Sequence, residues 1–327
     1  MKRYGMAVIG LGVVGRRMLE QAAASRGLQV VAAWDSSAAA RTAAAAGFPG
    51  LPLSDSAAAA IRRLDVDVVY VAVPPLAHAG LVRDAIAAGK AVFCEKPLGV
   101  DVAQSAALTE EMARSSLPHA VNFVFASSAA VDALRDAIAA PSFGLRAVEI
   151  RTRFHEWPRA WQAGAAWLQR ADQGGFTREV LSHYVYLLQR VLGGAELAGA
   201  AVTGPAGDPG AAETALSATL RSGGVPVTVA ASVGGTAPDL IEARFIGAAA
   251  EWRLSDWYRL ETFDAKAPQG RPAPGLPADP RLASYQRQLD QLHAMLSGAT
   301  HSLPDFADAL AVQRTVEAML TTRGRDE

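Results

Sequence analysis

The chain has 327 residues, enough for about two domains and for a buried core that needs no disulfide or metal staple. Lysine plus arginine number 31 against 32 acidic residues, and the net charge of −1 excludes the strong basic field that draws a protein to nucleic acid or anionic lipid. The single cysteine, Cys94, excludes an internal disulfide framework and fits a buried thiol in a reducing cytoplasm.

From residue 4 to about 125, short apolar runs alternate with alanine-rich helical stretches, the pattern of β-α units around a parallel sheet. Strands are predicted at 6–10, 28–34, 67–73, 91–94 and 119–123, with helices at 14–25, 38–46, 76–88 and 102–115. Asp101 is placed to cap the last of these helices. The apolar runs are far shorter than the roughly 18 residues of a membrane span. Lys2 and Arg3 precede an apolar run and Ala22-Ala23-Ala24 follows it, as in a secretory leader. Three glycines interrupt that run, and Arg16, Arg17 and Glu20 stand before the alanines, so a cytoplasmic protein is expected. After about residue 140 the texture becomes β-branched and alternating, with strands predicted at 145–154, 213–220, 225–233, 240–246 and 251–254 and a turn at Ser222-Gly223-Gly224. Five prolines between Pro268 and Pro280 predict a long irregular loop, and helices at 282–296 and 306–320 follow.

Gly10-Leu11-Gly12-Val13-Val14-Gly15 follows a predicted strand and opens a predicted helix, the setting in which G-x-G-x-x-G becomes a dinucleotide fingerprint. Gly10 permits the tight turn, Gly12 lets the backbone approach a pyrophosphate and Gly15 lets helix and strand pack closely. The N–H groups of the first helical turn, including Val13 and Val14, face the phosphates. Asp35, at the end of the second strand, is placed to accept hydrogen bonds from a ribose 2′-OH and to repel a 2′-phosphate. The expected cofactor is therefore NAD, with NADP as the alternative that Arg41 leaves open. Lysine is scarce, with only Lys2, Lys90, Lys96 and Lys266 against 27 arginines, so Lys96 in Glu95-Lys96-Pro97 is a candidate working group.

The glycine motif, the Val71-Ala72-Val73-Pro74 strand end with His78 beyond it, and the Glu95-Lys96-Pro97 triplet together resemble the Gfo/Idh/MocA family, named for glucose-fructose oxidoreductase, inositol dehydrogenase and a rhizopine catabolism protein. The resemblance implies an α/β Rossmann domain with a parallel sheet, 1–125, followed by an α+β domain with a large mostly antiparallel sheet, 126–327. It implies hydride transfer between a nicotinamide cofactor and a sugar, polyol or related small molecule, in a homodimer or homotetramer packed through the second sheet. It puts Pro74, His78, Glu95 and Lys96 at the cofactor and the Lys96 amine near the reacting carbon. The family's second-domain signature looks like Gly174-Gly175, Glu179, His183 and Tyr186; Glu179 and Tyr186 each replace a usual aspartate, and Pro75 stands where asparagine is common.

On a helix over 175–190, Glu179 and His183 are i, i+4 neighbours. His183, of ordinary value about 6.5, suits a general base, Glu179 suits a group that orients its ring, and Lys96 suits polarisation of a developing alkoxide. Trp157, Trp161, Trp167, Phe176, Tyr184 and Tyr186 are expected around a substrate pocket, with Trp161 and Tyr186 in contact, while Trp252 and Trp257 are read as sheet core. Asn122 is a candidate donor to substrate or cofactor amide. No motif has metal-ligand spacing, and no G-x-S-x-G elbow or P-loop occurs. Two rivals accompany the dehydrogenase: a reductase of imines or apolar ketones, and a non-catalytic dinucleotide sensor or corepressor. The central expectation is that Lys96 and His183 act at one reacting carbon.

Overall fold

The computed structural model describes residues 2–322 and divides into two compact units, one of residues up to 127 with Tyr285–Ala311, the other Ser128–Ser284 with the segment from Val312. In the first unit β1 (Tyr4–Ile9), α1 (Val13–Ala24), β2 (Leu28–Trp34), α2 (Ala38–Gly47), α3 (Ala57–Ile61), β3 (Val68–Val71), α4 (His78–Ala87), β4 (Ala91–Glu95), α5 (Val102–Ser115) and β5 (His119–Asn122) follow in order. The five strands form a parallel sheet ordered β2-β1-β3-β4-β5. Every residue of β1, β3 and β4 is buried, as strands covered on both faces must be, which explains their unbroken apolar runs. Strand order reverses between β1 and β3, and such a switch point is where open α/β sheets receive ligands, beyond the carboxyl ends of the strands. Asp101 caps α5 as expected, its Oδ1 accepting the Gln104 N–H at 2.8 Å.

The second unit carries α6 (Ala129–Ala139), β6 (Ala147–Phe154), α7 (Ser182–Leu192), β7 (Glu196–Thr203), β8 (Ala215–Ser222), β9 (Val225–Val233), β10 (Leu240–Ile246), β11 (Ala250–Ser255), β12 (Arg259–Asp264) and β13 (Ala267–Pro272). Its eight strands are ordered β13-β12-β11-β10-β6-β9-β8-β7, antiparallel except for the β6-β9 pair. Buried and exposed residues alternate along β8 and β9, the signature of a sheet with one solvated face. The helix α6 and the strands β7, β12 and β13 were not predicted. The Pro268–Pro280 stretch is only partly a loop, because its first residues pair with β12 as β13; proline is tolerated there because β13 is an edge strand whose outer face needs no donor.

Two helices, α8 (Pro280–Leu296) and α9 (Phe306–Leu320), end the described chain. The sequence suggests a single boundary near 125, whereas Tyr285–Ala311 belongs with the first unit. This returning segment covers the open edge of the parallel sheet: the Val121 N–H donates to the Pro304 carbonyl at 2.9 Å, and the Phe306 ring meets His119 edge-on at 5.2 Å. Among the described residues no helix is long and apolar enough to cross a membrane, and no group of three or more His, Cys, Asp or Glu could hold a metal ion.

Candidate active site

The carboxyl end of the parallel sheet carries the glycine loop. Gly10 has φ +101°, and a Cβ there would run into the Ala72 carbonyl; a Cβ on Gly15 would run into the carbonyl of Gly10. Around Gly12, by contrast, a Cβ would meet nothing within 4 Å. Gly12 is also the N-cap of α1 and gives it no side-chain cap, whereas Ser37, Ser56 and Asp101 cap α2, α3 and α5. The helix start that includes Val13 and Val14 therefore pairs open space with backbone donors and a positive dipole end, the arrangement a pyrophosphate needs. Asp35 sits beside this loop: its Oδ2 accepts the Leu11 N–H at 2.7 Å and its Oδ1 the Ser37 N–H at 2.8 Å. Arg41 is held at the same turn, its Nη1 donating to the Asp35 carbonyl at 2.7 Å. These residues fit an adenine dinucleotide.

Pro74 is exposed just past β3. His78 is fully buried and braces two turns, with Nε2 2.8 Å from the Val73 carbonyl and Nδ1 3.0 Å from the Pro97 carbonyl. Burial pushes its imidazole below the ordinary range despite these carbonyls, so the ring is neutral at pH 7 and donates to one of the two. Its described bonds make His78 a brace behind the cofactor end of the sheet.

Lys96 is half-buried where β4 ends. The preceding Glu95 is buried and enters a hydrogen-bond network. Its carboxylate accepts from the Tyr70 hydroxyl and, at 2.6 Å, from Asn122 Nδ2; the Asn122 amide oxygen in turn accepts from Gln288 of α8. The Tyr70 hydroxyl is pushed well above its ordinary range by burial and by the adjacent Glu95 charge, so it stays a donor. Both ends of the Asn122 amide are engaged inside the protein, which leaves it the role of a strut rather than the expected substrate donor. Glu95 likewise anchors the turn that presents Lys96.

In the second unit the glycine pair has a steric cause. A Cβ on Gly174 would strike the carbonyls of Trp167 and Leu168, and Gly175, at φ +91°, leaves room for the carboxylate of Glu213. Glu213 Oε1 accepts the Thr177 N–H at 2.7 Å and so caps the segment that follows. That segment differs from the regular helix expected over 175–190: Thr177–Leu181 is a π-helical turn running into α7. The wider turn rotates Glu179 relative to its α-helical position. Its carboxylate accepts from Gln162 Nε2 at 2.9 Å, with the Arg159 guanidinium 3.9 Å away, which ties Glu179 to the 159–162 loop. Arg178 clamps the same region, forking onto Glu317 of α9 at 2.7 and 2.8 Å and donating to the Ala171 carbonyl at 2.8 Å.

His183 is buried at the start of α7. Of the aromatic set, Trp161 is 48% exposed and lies under the Arg159 guanidinium at 4.7 Å, while Phe176, Tyr184 and Tyr186 are buried. Trp157 packs against Phe154 and Phe176 and donates its indole N–H to the Leu168 carbonyl at 3.0 Å. Trp257 is not in the sheet: it occupies the turn after β11, with its ring 5.2 Å from that of His183. Sequence patterns gave no signal for Glu213, Arg178 or Trp257, because none belongs to a short motif.

Burial raises the Glu213 carboxyl above its ordinary range, against the opposing Thr177 bonds and the Arg178 charge. A carboxyl raised on folding stabilises the protein fully below the unfolded value, about 4.3, and loses that contribution as pH rises through the folded value. The Glu213→Gln variant, neutral throughout and still able to accept from Thr177, is expected to gain in Tm relative to the parent as pH rises from about 4 to 8. Melting curves across that range check this, and a Tm difference independent of pH would refute it.

Residues 4–123 match the model of an oxidoreductase family with an NAD-binding Rossmann fold, Gfo/Idh/MocA. Over that span the chain is similar to this family. Among its relatives, inositol 2-dehydrogenase of Gluconacetobacter diazotrophicus is 42% identical over 113 residues, 34% of each chain. D-apiose dehydrogenase of Paraburkholderia graminis is 29% identical over 270 residues, 80% of this chain and 70% of that one. The first of these alignments spans about a third of the curated relative's length. In fold, the chain is similar to an oxidoreductase from Agrobacterium radiobacter solved with NAD+, L-tartaric acid and magnesium, at TM-score 0.82 and 18% identity, covering 100% of this chain and 98% of that one.

Proposed function

We propose that this protein is a Gfo/Idh/MocA oxidoreductase, an NAD-dependent dehydrogenase of a small hydroxylated substrate, a polyol or sugar, in which Lys96 and His183 serve the reacting carbon. The observation that carries the reading is the presentation of Lys96 at the carboxyl end of β4, on a turn anchored by the buried Glu95, in the same unit as a glycine loop open at Gly12. Relatives named for inositol and apiose oxidation support the substrate class.

When bound, the coenzyme supplies a two-electron hydride acceptor; Gly12, Val13 and Val14 would hold its pyrophosphate and Asp35 its ribose. Oxidation of a carbinol leaves a hydroxyl proton, which His183 takes as general base. The Lys96 ammonium donates to the oxygen on which negative charge develops. Glu179, bonded to Gln162 and near Arg159, holds the wall of the second unit that follows the glycine pair. The protein acts in the cytoplasm as a homodimer or homotetramer that associates through the solvated face of the eight-stranded sheet.

A panel of polyols, aldoses, hydroxy acids and cyclic imines, run with NAD and NADP and followed by nicotinamide absorbance, tests this; turnover is expected on a polyol or sugar. Calorimetric binding of cofactor with no turnover on any member would favour a sensor and overturn the proposal. The exposed Trp161 stacked on Arg159 favours a second reading, a substrate with a flat or apolar face, which turnover of the imines alone would establish.

Cofactor choice turns on Asp35. Asp35→Ala is expected to weaken both cofactors, because the Leu11 N–H loses its acceptor, but to weaken NAD about tenfold more than NADP, since the charge that repels a 2′-phosphate is gone. Binding isotherms for the two cofactors decide this, and a larger loss for NADP would reverse the assignment.

A further inference from the structure

β11 and β12 are joined by residues 256–258, where Asp256 at φ +48° and Trp257 at φ +71° both take the left-handed conformation. Aspartate tolerates that region, but for a side chain as bulky as tryptophan it is a true outlier. Glycine or asparagine would remove the strain, and the chain instead holds its largest residue type there. The bend carries the indole onto the first turn of α7. Its ring lies 5.2 Å from the His183 ring at 88°, and 6.1 Å from the next ring in the chain, that of Tyr184, at 38°. The same imidazole lies two residues beyond the π-helical turn Thr177–Leu181. Two departures from regular backbone, of the kind that collects at functional sites, thus meet at one side chain.

We propose that Trp257 is a positioning residue that fixes the ring orientation of His183. The inference deepens the proposed function, since it rests on His183 as general base. Rotation about the Cβ–Cγ bond of histidine is broad and nearly twofold, so an imidazole needs lateral restraint to keep one nitrogen aimed at a hydroxyl. A perpendicular ring at contact distance supplies that restraint, and perpendicular packing is a preferred aromatic geometry. The half-buried indole on that side also limits the approach of water to the base.

The test uses the full-length protein carrying carbon-13 histidine. Six histidines give six ring signals, and His183→Gln assigns the one from His183. Trp257→Leu is expected to abolish the ring-current displacement of the His183 signal, and to lower kcat about tenfold to a hundredfold on the panel substrate that is turned over, with KM within about threefold. Trp257→Phe, which keeps a ring, is expected to retain part of both. A purely structural role would lower Tm without this split between kcat and KM. A folded Trp257→Leu protein with the parent His183 signal overturns the proposal, as does a displaced signal with parent kcat. If the leucine variant does not fold, Trp257→Phe decides, and a His183 signal identical to the parent's overturns the contact. Full turnover by His183→Gln overturns the base assignment and Trp257's part in it, whereas an unmoved signal in a folded Trp257→Leu removes Trp257 alone.

Discussion

Turnover by a Lys96→Ala variant is expected to fall by about three orders of magnitude, with the Kd for NAD changed by less than about threefold. The expected size follows from what the ammonium does. A fixed donor aimed at an oxygen that gains charge in the transition state contributes about 10²- to 10³-fold, and loss of a donor that carries a full charge falls at the upper end. Cofactor affinity survives because the glycine loop and Asp35 are separate elements of the same sheet edge. The bonds from Tyr70 and Asn122 end on the Glu95 carboxylate, which the substitution retains. Steady-state kinetics paired with calorimetry measure the two quantities on one preparation. Parent-like turnover would remove Lys96 from the mechanism, and a parallel collapse of NAD binding would assign it to the cofactor instead.

The three motif glycines are expected to separate cleanly. Gly12→Val should keep the protein folded, because Gly12 has extended backbone angles that any residue adopts and no neighbour within 4 Å of a new Cβ. The branched side chain fills the space where a pyrophosphate would lie. Charge-assisted hydrogen bonds from the helix start are worth about 1.5–3 kcal/mol each, so the Kd for NAD should rise at least about tenfold and, with two bonds lost, beyond a hundredfold. Gly10→Ala and Gly15→Ala should instead damage the fold. Each puts a methyl group into a backbone carbonyl, and at Gly10 the positive φ adds strain of about 1–3 kcal/mol. Thermal melting and NAD titration of the three variants give the comparison. Undiminished NAD affinity in folded Gly12→Val would refute the assignment of this helix start to the pyrophosphate.

The order of the five strands of the first unit, and of its helices apart from α3, was legible because it depends on short-range regularities. Buried parallel strands appear as unbroken apolar runs, and glycines mark places where a few neighbouring atoms leave no room for a Cβ, as at Gly10 and Gly15. The Gly174-Gly175 pair was visible for the same reason, but its cause was not: the group that fills the space at Gly175 is Glu213, supplied from far along the chain. Asn122 shows the limit most plainly. A polar residue at a strand end is open to substrate or to protein, and what decides is Gln288, 166 residues later, on a segment that returns to the first unit.

Sequence by itself determined the dinucleotide fingerprint, the lysine triplet, the histidine after the glycine pair and the two sheet types, since local sterics and the periods of helix and strand involve only nearby residues. Tertiary structure alone decided that Glu95 and Asn122 face inward, that Glu179 bonds to Gln162, that Pro268 belongs to an edge strand and that Trp257 lies against His183. Those outcomes depend on which distant side chain arrives to satisfy a buried polar group or fill a space, and chain closure, not local preference, settles that.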